Sequence, residues 1–467
     1  MDALQFIENK TFDELKVGDT AELTRQLNQQ DIELFAVMSG DVNPTHVDEE
    51  FAKSDSYHRI VGHGMWEGAL ISAVLGTLLP GPGTLYLKQS LAFCGPIGLG
   101  DTITARVVVR ELHAETKRVV LDCDCRNQAG IVVVEGQAEV VAPTKKIRRP
   151  RVPLPQIDLH EPGKRYRELL AAAQGLPPIL TAIVHPCDDV SILGALEARD
   201  SRLITPVLVG PRLKIEKAAR DANVSLEGVE IVDAPHSHAA AEKSVALARE
   251  GRVLALMKGS LHTDEIMAAV VDPQTGLRTE RRMSHVFAFD VPHYPKPLFI
   301  TDAAVNIYPT LADKRDIVQN VIELCHALGI AQPKIAILSA VETINPKINS
   351  TVEAAALCKM ADRGQIVGGL IDGPLGFDNA VSKRAATIKN IVSPVAGDAD
   401  VLVAPDLEAA NMIAKQLVYL AGAETAGIVL GARVPIILTS RADEPLARMA
   451  SCALAQLFVH RGGAITK

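Results

Sequence analysis

The spacing of hydrophobic positions changes near residue 145. Before that point, one long apolar segment from His63 to Leu79 predicts a helix, and the segments after it alternate apolar and polar residues. Such alternation is typical of half-buried antiparallel strands. Four strands are predicted, at Leu85 to Phe93, Asp101 to Leu112, Arg118 to Cys125 and Ile131 to Val141. One helix packed on a meandering antiparallel sheet is an α+β layer arrangement.

Beyond residue 178 the pattern becomes an alternation of strand-like and helix-like segments. The nearly continuous apolar run at residues 204–210, for example, is followed by an amphipathic segment at residues 212–222, and the same alternation returns at residues 333–364 and 398–422. This pattern predicts an α/β fold with a mostly parallel sheet covered by helices on both faces. Because roughly 300 residues exceed one typical core, we expect two lobes with a cleft between them.

The segment from Pro143 to Pro155 separates the two regions. It holds five basic residues and four prolines with no periodicity, which predicts an extended, semi-rigid linker. Contact of its charges with a phosphate-bearing ligand or a neighbouring domain stays open beside simple solvation. We therefore divide the chain into a first domain at residues 1–142, a linker at 143–164 and a second domain at 165–467.

Composition excludes several classes of protein. Over 467 residues, 48 Lys and Arg stand against 56 Asp and Glu, and the aromatic residues number 1 Trp, 6 Tyr and 10 Phe, which argues against nucleic-acid binding. Apolar stretches are too short to cross a bilayer and the acidic start lacks a signal core, so we expect no membrane contact and a cytoplasmic protein. Seven scattered cysteines without a CxxC pair, and the lack of H-E-x-x-H, predict no metal site.

The first domain contains a candidate pair for acid–base chemistry. Asp41 and His46 lie five residues apart across an Asn43-Pro44 turn, and an Asp beside a His can hold and deprotonate a water molecule at neutral pH. Downstream, Gly64 begins the apolar helix, where free main-chain N–H groups can stabilise an oxyanion. By spacing alone, the same residues also fit a plain turn and a plain helix start.

A family resemblance bears on this choice. The runs SGDVNPTHVDEEFA, IVGHGM and GTLYLKQSLAFCGPIGLGDTITARV closely resemble the MaoC-like, (R)-specific enoyl-CoA hydratases of the hotdog fold, over about residues 10 to 142. The resemblance implies that Asp41 and His46 activate the water and that the amide of Gly64 polarises the thioester carbonyl. It implies positioning roles for Ser39 and Asn43.

The second domain offers two strand-to-helix corners. Ser440, Arg441 and Asp443 follow the strand VPIILT, at the carboxyl end where open α/β sheets bind ligands. Lys258 precedes a Gly-Ser pair before a helix, a corner suited to an anion. A helix cap with a surface Arg explains the first corner equally simply.

Here too a family resemblance is found. MKGSLHTDEI, GLRTERRMSHV, FITDAAVNIYPTLADKRDIVQN and VPIILTSRAD resemble the phosphate acetyl/butyryltransferase family across residues 165 to 467. The resemblance implies the two-lobed α/β fold of isocitrate and isopropylmalate dehydrogenases and a reaction that needs no metal. It implies that Ser440 and Arg441 bind the phosphoryl group and that Asp443 is the base for the CoA thiol. The segment after Arg441 is shorter than in acetyltransferases, so Glu444 competes for that role, and Arg278 is a candidate second phosphate clamp.

Together these patterns predict a bifunctional enzyme of acyl-CoA metabolism, with coenzyme A as substrate, no cofactor and a homo-oligomeric state. Its substrates would be acyl-CoA thioesters and phosphate or acyl phosphate. One alternative is an active hydratase whose C-terminal domain is a non-catalytic CoA-binding regulatory or assembly module. A second is a C-terminal NAD-dependent dehydrogenase, which is disfavoured because the acidic metal cluster of that fold is not apparent in the sequence.

Overall fold

The computed structural model describes residues 6–155, 157, 159, 161, 163–438 and 444–462. The chain divides into two compact units, Met1–Leu159 and His160–Lys467. Among the described residues, no helix is both long and apolar enough to span a membrane.

In its described part, the first unit contains four helices and seven strands. The helices are α1 (Gln29–Ser39), α2 (Pro44–Val47), α3 (Glu49–Ser54) and α4 (Gly64–Thr77), with a 3-10 turn at Phe12–Glu14. The strands are β1 (Phe6–Glu8), β2 (Thr20–Gln26), β3 (Leu85–Phe93), β4 (Thr102–His113), β5 (Arg118–Arg126), β6 (Val132–Val141) and β7 (Arg148–Pro150). An antiparallel sheet runs in the order β2-β4-β5-β6-β3.

The long helix α4 packs on one face of this sheet. Trp66, Ile71 and Val74 of the helix share one core with the inward-facing residues of β4, β5 and β6. The predicted helix and four strands are confirmed to within two residues at each end. Strand β2 was not predicted, because its sequence TAELTRQ contains no run of apolar residues.

Part of the predicted linker is packed against the first unit. Strand β7 pairs antiparallel with β1, and the buried Asn9 side chain donates to the main-chain oxygens of Pro82 and Lys145 and accepts from the N–H of Ile147. The proline-rich basic segment has few apolar side chains to bury, and the hydrogen bonds of Asn9 to Lys145 and Ile147 hold it in place instead. The contact boundary accordingly lies between residues 159 and 160.

The second unit is built on one long sheet with helices on both faces. Its helices are α5 (Lys164–Ala173), α6 (Asp189–Asp200), α7 (Arg212–Asp221), α8 (Ser237–Arg249), α9 (Thr263–Val271), α10 (Leu311–Ala327), α11 (Asn349–Asp362), α12 (Phe377–Val381), α13 (Lys383–Ile388), α14 (Leu407–Ala421) and α15 (Pro445–Arg461). Its strands are β8 (Ile179–Val184), β9 (Ile204–Gly210), β10 (Glu230–Asp233), β11 (Ala255–Lys258), β12 (Ser284–Asp290), β13 (Leu298–Thr301), β14 (Lys334–Leu338), β15 (Leu370–Leu375), β16 (Val401–Val403), β17 (Glu424–Leu430) and β18 (Ile436–Ile437).

Within the described residues these strands form a sheet in the order β10-β9-β8-β11-β18-β17-β12-β13-β16-β14-β15. Seven neighbouring pairs are parallel and three, around β12 and β17, are antiparallel, so the prediction of a mostly parallel sheet is confirmed. The antiparallel centre was not predicted. It arises because β12 and β13, and likewise β17 and β18, follow each other without a helix between them, and β12 pairs with β17.

The two faces of the sheet are covered differently. On one face α5, α6, α7, α10, α11 and α15 share a single core that runs along the sheet. On the other face one core forms around α8 and α9 and a separate core around α12 and α14. The two expected lobes therefore share a continuous sheet and one core, and are distinct only on the second face.

Candidate functional site

The loop that follows α1 presents Asp41. Helix α1 ends at Gly40 in the left-handed conformation, with φ of 76°. Ser39 donates from its hydroxyl to the main-chain oxygen of Phe35 at 2.6 Å and accepts from the N–H of Asp41 at 3.2 Å. Asp41 in turn accepts from the N–H of Asn43 at 3.2 Å. Ser39 and Asn43 thus shape the loop around the exposed Asp41 carboxylate.

His46 is held on the short helix α2, which Asn43 caps with its side chain. The Nδ1 atom of His46 lies 2.8 Å from the main-chain oxygen of Val61. Because a carbonyl oxygen only accepts, Nδ1 carries a proton, which leaves Nε2 as the ring nitrogen that can accept one from water. One oxygen of Asp41 and one ring nitrogen of His46 lie within 4.8 Å of each other, so the fold brings this predicted pair together.

A third residue, His63, lies in the same cluster, with a ring nitrogen also within 4.8 Å of the Asp41 and His46 ligand atoms. The rings of His46 and His63 have centroids 4.0 Å apart and an interplanar angle of 35°. Three ligand atoms this close together could hold a metal ion. One ring nitrogen of each histidine already faces a main-chain oxygen, that of Val61 for His46 and that of Asp41 for His63, so each ring has one nitrogen left for other chemistry.

Gly64 is the first residue of α4, where the main-chain N–H has no intrahelical acceptor. A Cβ atom at this position would lie 2.9 Å from the ring of Phe93. Glycine therefore lets the helix start approach that side chain closely. Gly64 is partly exposed, and a main-chain N–H at a helix N-terminus can stabilise an oxyanion, so the predicted role of Gly64 stays a prediction.

In the second unit, Lys258 is the last residue of β11, and its Nζ lies 3.4 Å from the main-chain oxygen of Gly259. Strand β18 runs parallel to β11 with Met257 opposite Ile437, so the carboxyl end of β18 lies beside Lys258. Ser440, Arg441 and Asp443 come shortly after β18 in sequence and lie outside the described residues. The two predicted corners therefore start from adjacent strands.

A cavity of about 690 Å³ opens beside α9 and contains Arg278, the predicted clamp. Its lining includes Thr263 and Met267 of α9, together with residues 278–283, and extends to residues 304–305. Three carboxylates also line it, those of Asp264, Asp313 and Asp316, and Asp313 lies 3.6 Å from the Nε of Arg282. Arg281 in this wall donates to Glu323 at 2.6 Å and is neutralised by it. Lys258 is not among the described residues that line the cavity.

Sequence reasoning missed a polar network beneath this wall. The Nε of Arg282 donates to the side-chain oxygen of Asn306 at 2.6 Å, and the amide nitrogen of Asn306 donates to the Met283 oxygen at 2.8 Å and to the carboxylate of Asp302. Asp302, only 3% exposed, accepts further bonds from the main-chain N–H groups of His285, Ala304, Val305 and Asn306. The network holds the Arg282 guanidinium at the cavity. The sequence feature that could have indicated this network is the run TDAAVN, which begins at the last residue of the apolar strand β13.

Comparisons with known proteins match a different family to each unit. The sequence pattern of the family described as "Phosphate acetyl/butaryl transferase" matches residues 237–455, and that of the "MaoC like domain" matches residues 14–124. Phosphate acetyltransferase of Rhizobium meliloti is 60% identical over 301 residues, which cover 64% of this chain and 95% of that protein.

Among solved structures, a branched-chain phosphotransacylase from Enterococcus faecalis V583 is 28% identical with a TM-score of 0.54, covering 61% of this chain and 99% of its own. R-Hydratase PhaJ1 from Pseudomonas aeruginosa is 42% identical with a TM-score of 0.32, covering 33% of this chain and 99% of its own. The second unit thus has the phosphotransacylase fold. The chain belongs to the phosphate acetyl/butaryl transferase family and carries a MaoC-like domain in its first unit.

Proposed function

We propose that this chain is a bifunctional enzyme of acyl-CoA metabolism. Its first unit, a hotdog hydratase, adds water to trans-2-enoyl-CoA to give the (R)-3-hydroxyacyl-CoA. Its second unit exchanges an acyl group between CoA and phosphate. The observation that carries the second activity is the 60% identity over 95% of a phosphate acetyltransferase. The first activity rests on the Asp41 and His46 geometry within a MaoC-like domain.

In the hydration, Asp41 and the free Nε2 of His46 hold a water molecule between them. The water oxygen bonds to the β-carbon of the enoyl group as His46 accepts one water proton, and the α,β double bond shifts to an enolate. The N–H of Gly64 stabilises the negative thioester oxygen. A proton returned to the α-carbon completes the addition, so one water molecule enters and nothing leaves.

In the acyl transfer, Asp443 or Glu444 removes the proton of the CoA thiol. The thiolate attacks the carbonyl carbon of the acyl phosphate, and the C–O bond to phosphate breaks as the thioester forms. Ser440 and Arg441 would bind the phosphate as it leaves, since the guanidinium of Arg contacts two phosphate oxygens at once. Lys258, Arg278 and Arg282 would hold the charged portions of the substrates.

No metal or organic cofactor takes part in the proposed reactions, and coenzyme A acts only as a substrate. The family description names both acetyl and butyryl groups, so both stay candidates for the transferred acyl chain. The relation of the second unit to isocitrate and isopropylmalate dehydrogenases stays a prediction, as does a cytoplasmic location.

We also infer a homo-oligomer. Strand β3 is an edge of the first sheet, and its Leu85, Leu87 and Phe93 side chains are exposed, by 60%, 44% and 54%. An edge strand with exposed apolar side chains is a ready surface for pairing with a second copy. Static light scattering that shows a 50.0 kDa species at micromolar concentration would contradict this inference.

Arsenolysis tests the transferase directly. Arsenate replaces phosphate, the acyl arsenate hydrolyses, and free CoA thiol appears from acetyl-CoA or butyryl-CoA. The alternative, a second unit that only binds CoA, predicts no thiol release while crotonyl-CoA hydration continues. This alternative is retained because the segment after Arg441 is shorter than in acetyltransferases.

A further inference from the structure

His63 lies directly before α4 and is 2% exposed. Buried polar side chains in folded proteins are almost always hydrogen-bonded, so each partner of such a residue carries information. His63 contacts both members of the Asp41 and His46 pair, although 22 residues separate it from the first and 17 from the second.

The first contact fixes the main chain of Asp41. The Nε2 of His63 donates to the main-chain oxygen of Asp41 at 3.0 Å. The other hydrogen bonds of Asp41 within the described residues are to Ser39 and Asn43, each two positions away. His63 therefore supplies the bond that ties this loop to the start of the long helix.

The second contact supports the ring of His46. The His63 ring lies 4.0 Å from that of His46 and 4.9 Å from that of Phe35, measured between centroids, with an interplanar angle of 35° in both cases. His46 is held at its own Nδ1 by Val61. One in-plane hydrogen bond and one ring face together restrict both the tilt and the rotation of the imidazole.

The charge of His63 suits this position. Burial lowers the pKa of His63, and its Nδ1 is buried with no hydrogen-bond partner in the described part of the chain. The ring therefore stays neutral, with its proton on Nε2. A neutral neighbour does not oppose the positive charge that His46 gains when it accepts a proton from water.

We propose that His63 is a positioning residue for the hydratase: it fixes the Asp41 loop through its Nε2 and the His46 ring through the contact between the two rings. The inference rests on the proposed hydratase function. His63 does not exchange a proton with water in this account, and its effect is on the geometry of the two residues that do.

Two variants of the full chain separate the contacts. His63→Phe keeps an aromatic face but removes the donor, and His63→Gln keeps a donor but removes the ring. We expect His63→Phe to lower kcat for crotonyl-CoA hydration about 10- to 100-fold with KM changed less than about twofold, because misplaced catalytic groups cost rate of this order. His63→Gln should retain more activity than His63→Phe and still lose about threefold or more.

His113→Gln is the matched control, since His113 is an exposed histidine of the same unit. Acyl transfer should be unchanged in all three variants. An unchanged kcat in either folded His63 variant, or a loss of kcat matched by a rise in KM, overturns the proposal. If His63→Phe does not fold, His63→Gln decides alone by the same criterion.

The outcome also separates this inference from the proposed function. If Asp41→Asn is inactive and His63→Phe hydrates at the wild-type rate, the hydratase stands and only the role of His63 is refuted. If the wild-type chain does not hydrate crotonyl-CoA, both are refuted.

Discussion

The imidazole of His46 is fixed by the main-chain oxygen of Val61, which lies 2.8 Å from its Nδ1. Val61 lies three residues before α4, so the helix start that offers the Gly64 N–H also sets the tautomer of the candidate base. One short segment thereby positions both the base and the oxyanion donor of the proposed hydration.

This contact gives a selective variant of His46. His46→Asn places an amide N–H where Nδ1 lies, so the bond to Val61 can persist, but it has nothing at the position of Nε2. We expect normal folding and a 10²- to 10⁴-fold loss of crotonyl-CoA hydration, the usual effect of removing a general base. Near-UV circular dichroism checks the fold. A variant that keeps more than about a tenth of the wild-type rate contradicts the assignment of Nε2.

A buried carboxyl group makes the first unit sensitive to pH. Glu67 of α4 is 2% exposed, and one of its oxygens has no hydrogen-bond partner within the described residues. Burial raises the pKa of Glu67 from 4.5 to about 8. Between these values the unfolded chain releases the proton and the folded unit keeps it, so the free energy of unfolding falls as pH rises from 4.5 to 8.

Glu67→Gln should remove this pH dependence, which is worth a few kcal/mol at about 1.4 kcal/mol per pKa unit. Urea unfolding can be followed through Trp66, the single tryptophan of the chain, which is buried beside Glu67. The exposed Glu115→Gln is the control and should keep the wild-type slope. An equal slope in Glu67→Gln and wild type would show that Glu67 is not the titrating group.

The network under the cavity of the second unit gives a prediction for phosphate binding. Arg282→Lys keeps the charge but loses the Nε donor to Asn306. We expect the KM for phosphate to rise about 10-fold, because charge-assisted hydrogen bonds contribute about 1.5–3 kcal/mol. Steady-state arsenolysis and phosphorolysis measure it.

Arg281→Lys is the matched control for Arg282, because Arg281 lines the same wall but pairs closely with Glu323 at 2.6 Å, whereas Arg282 lies 3.6 Å from its acidic neighbour Asp313. Its effect on the phosphate KM should stay below about threefold. Equal effects of the two substitutions on the phosphate KM would mean that the hydrogen bond from Arg282 to Asn306 does not position Arg282 for substrate binding.

Substitutions in the segment after β18 test the proposed roles of its charged residues in acyl transfer. Arg441→Lys should retain charge and yet lose most of the acyl-transfer rate, because an ammonium group cannot bind two phosphate oxygens in the planar geometry of a guanidinium. Asp443→Asn should instead alter the pH profile by removing the base for the CoA thiol. If Asp443→Asn is silent and Glu444→Gln is not, the base is Glu444. A wild-type rate in Arg441→Lys would refute bidentate phosphate binding there.

Much of the fold follows from local periodicity. The α4 segment and strands β3 to β6 were predictable because each pairs a long apolar pattern with turn residues at its ends. Strand β2 and the β12–β13 hairpin were not, since the first contains no run of apolar residues and the second interrupts an otherwise regular strand–helix alternation.

The candidate sites divide in the same way. The Asp41 and His46 pair was predictable because a local turn brings the two together. The roles of His63 and Asn306 come from contacts across 22 and 24 residues, to the main chain of Asp41 and to Arg282. A pattern of neighbouring residues does not encode such contacts, so they required the folded structure.

Asp41→Asn separates the two proposed active sites when hydration and acyl transfer are measured on the same preparation of the full chain. We expect at least a 10²-fold loss of crotonyl-CoA hydration, with arsenolysis of acetyl-CoA or butyryl-CoA equal to wild type. Hydration retained above about a tenth of the wild-type rate, or a parallel loss of both activities in a folded variant, would refute two independent active sites on one chain.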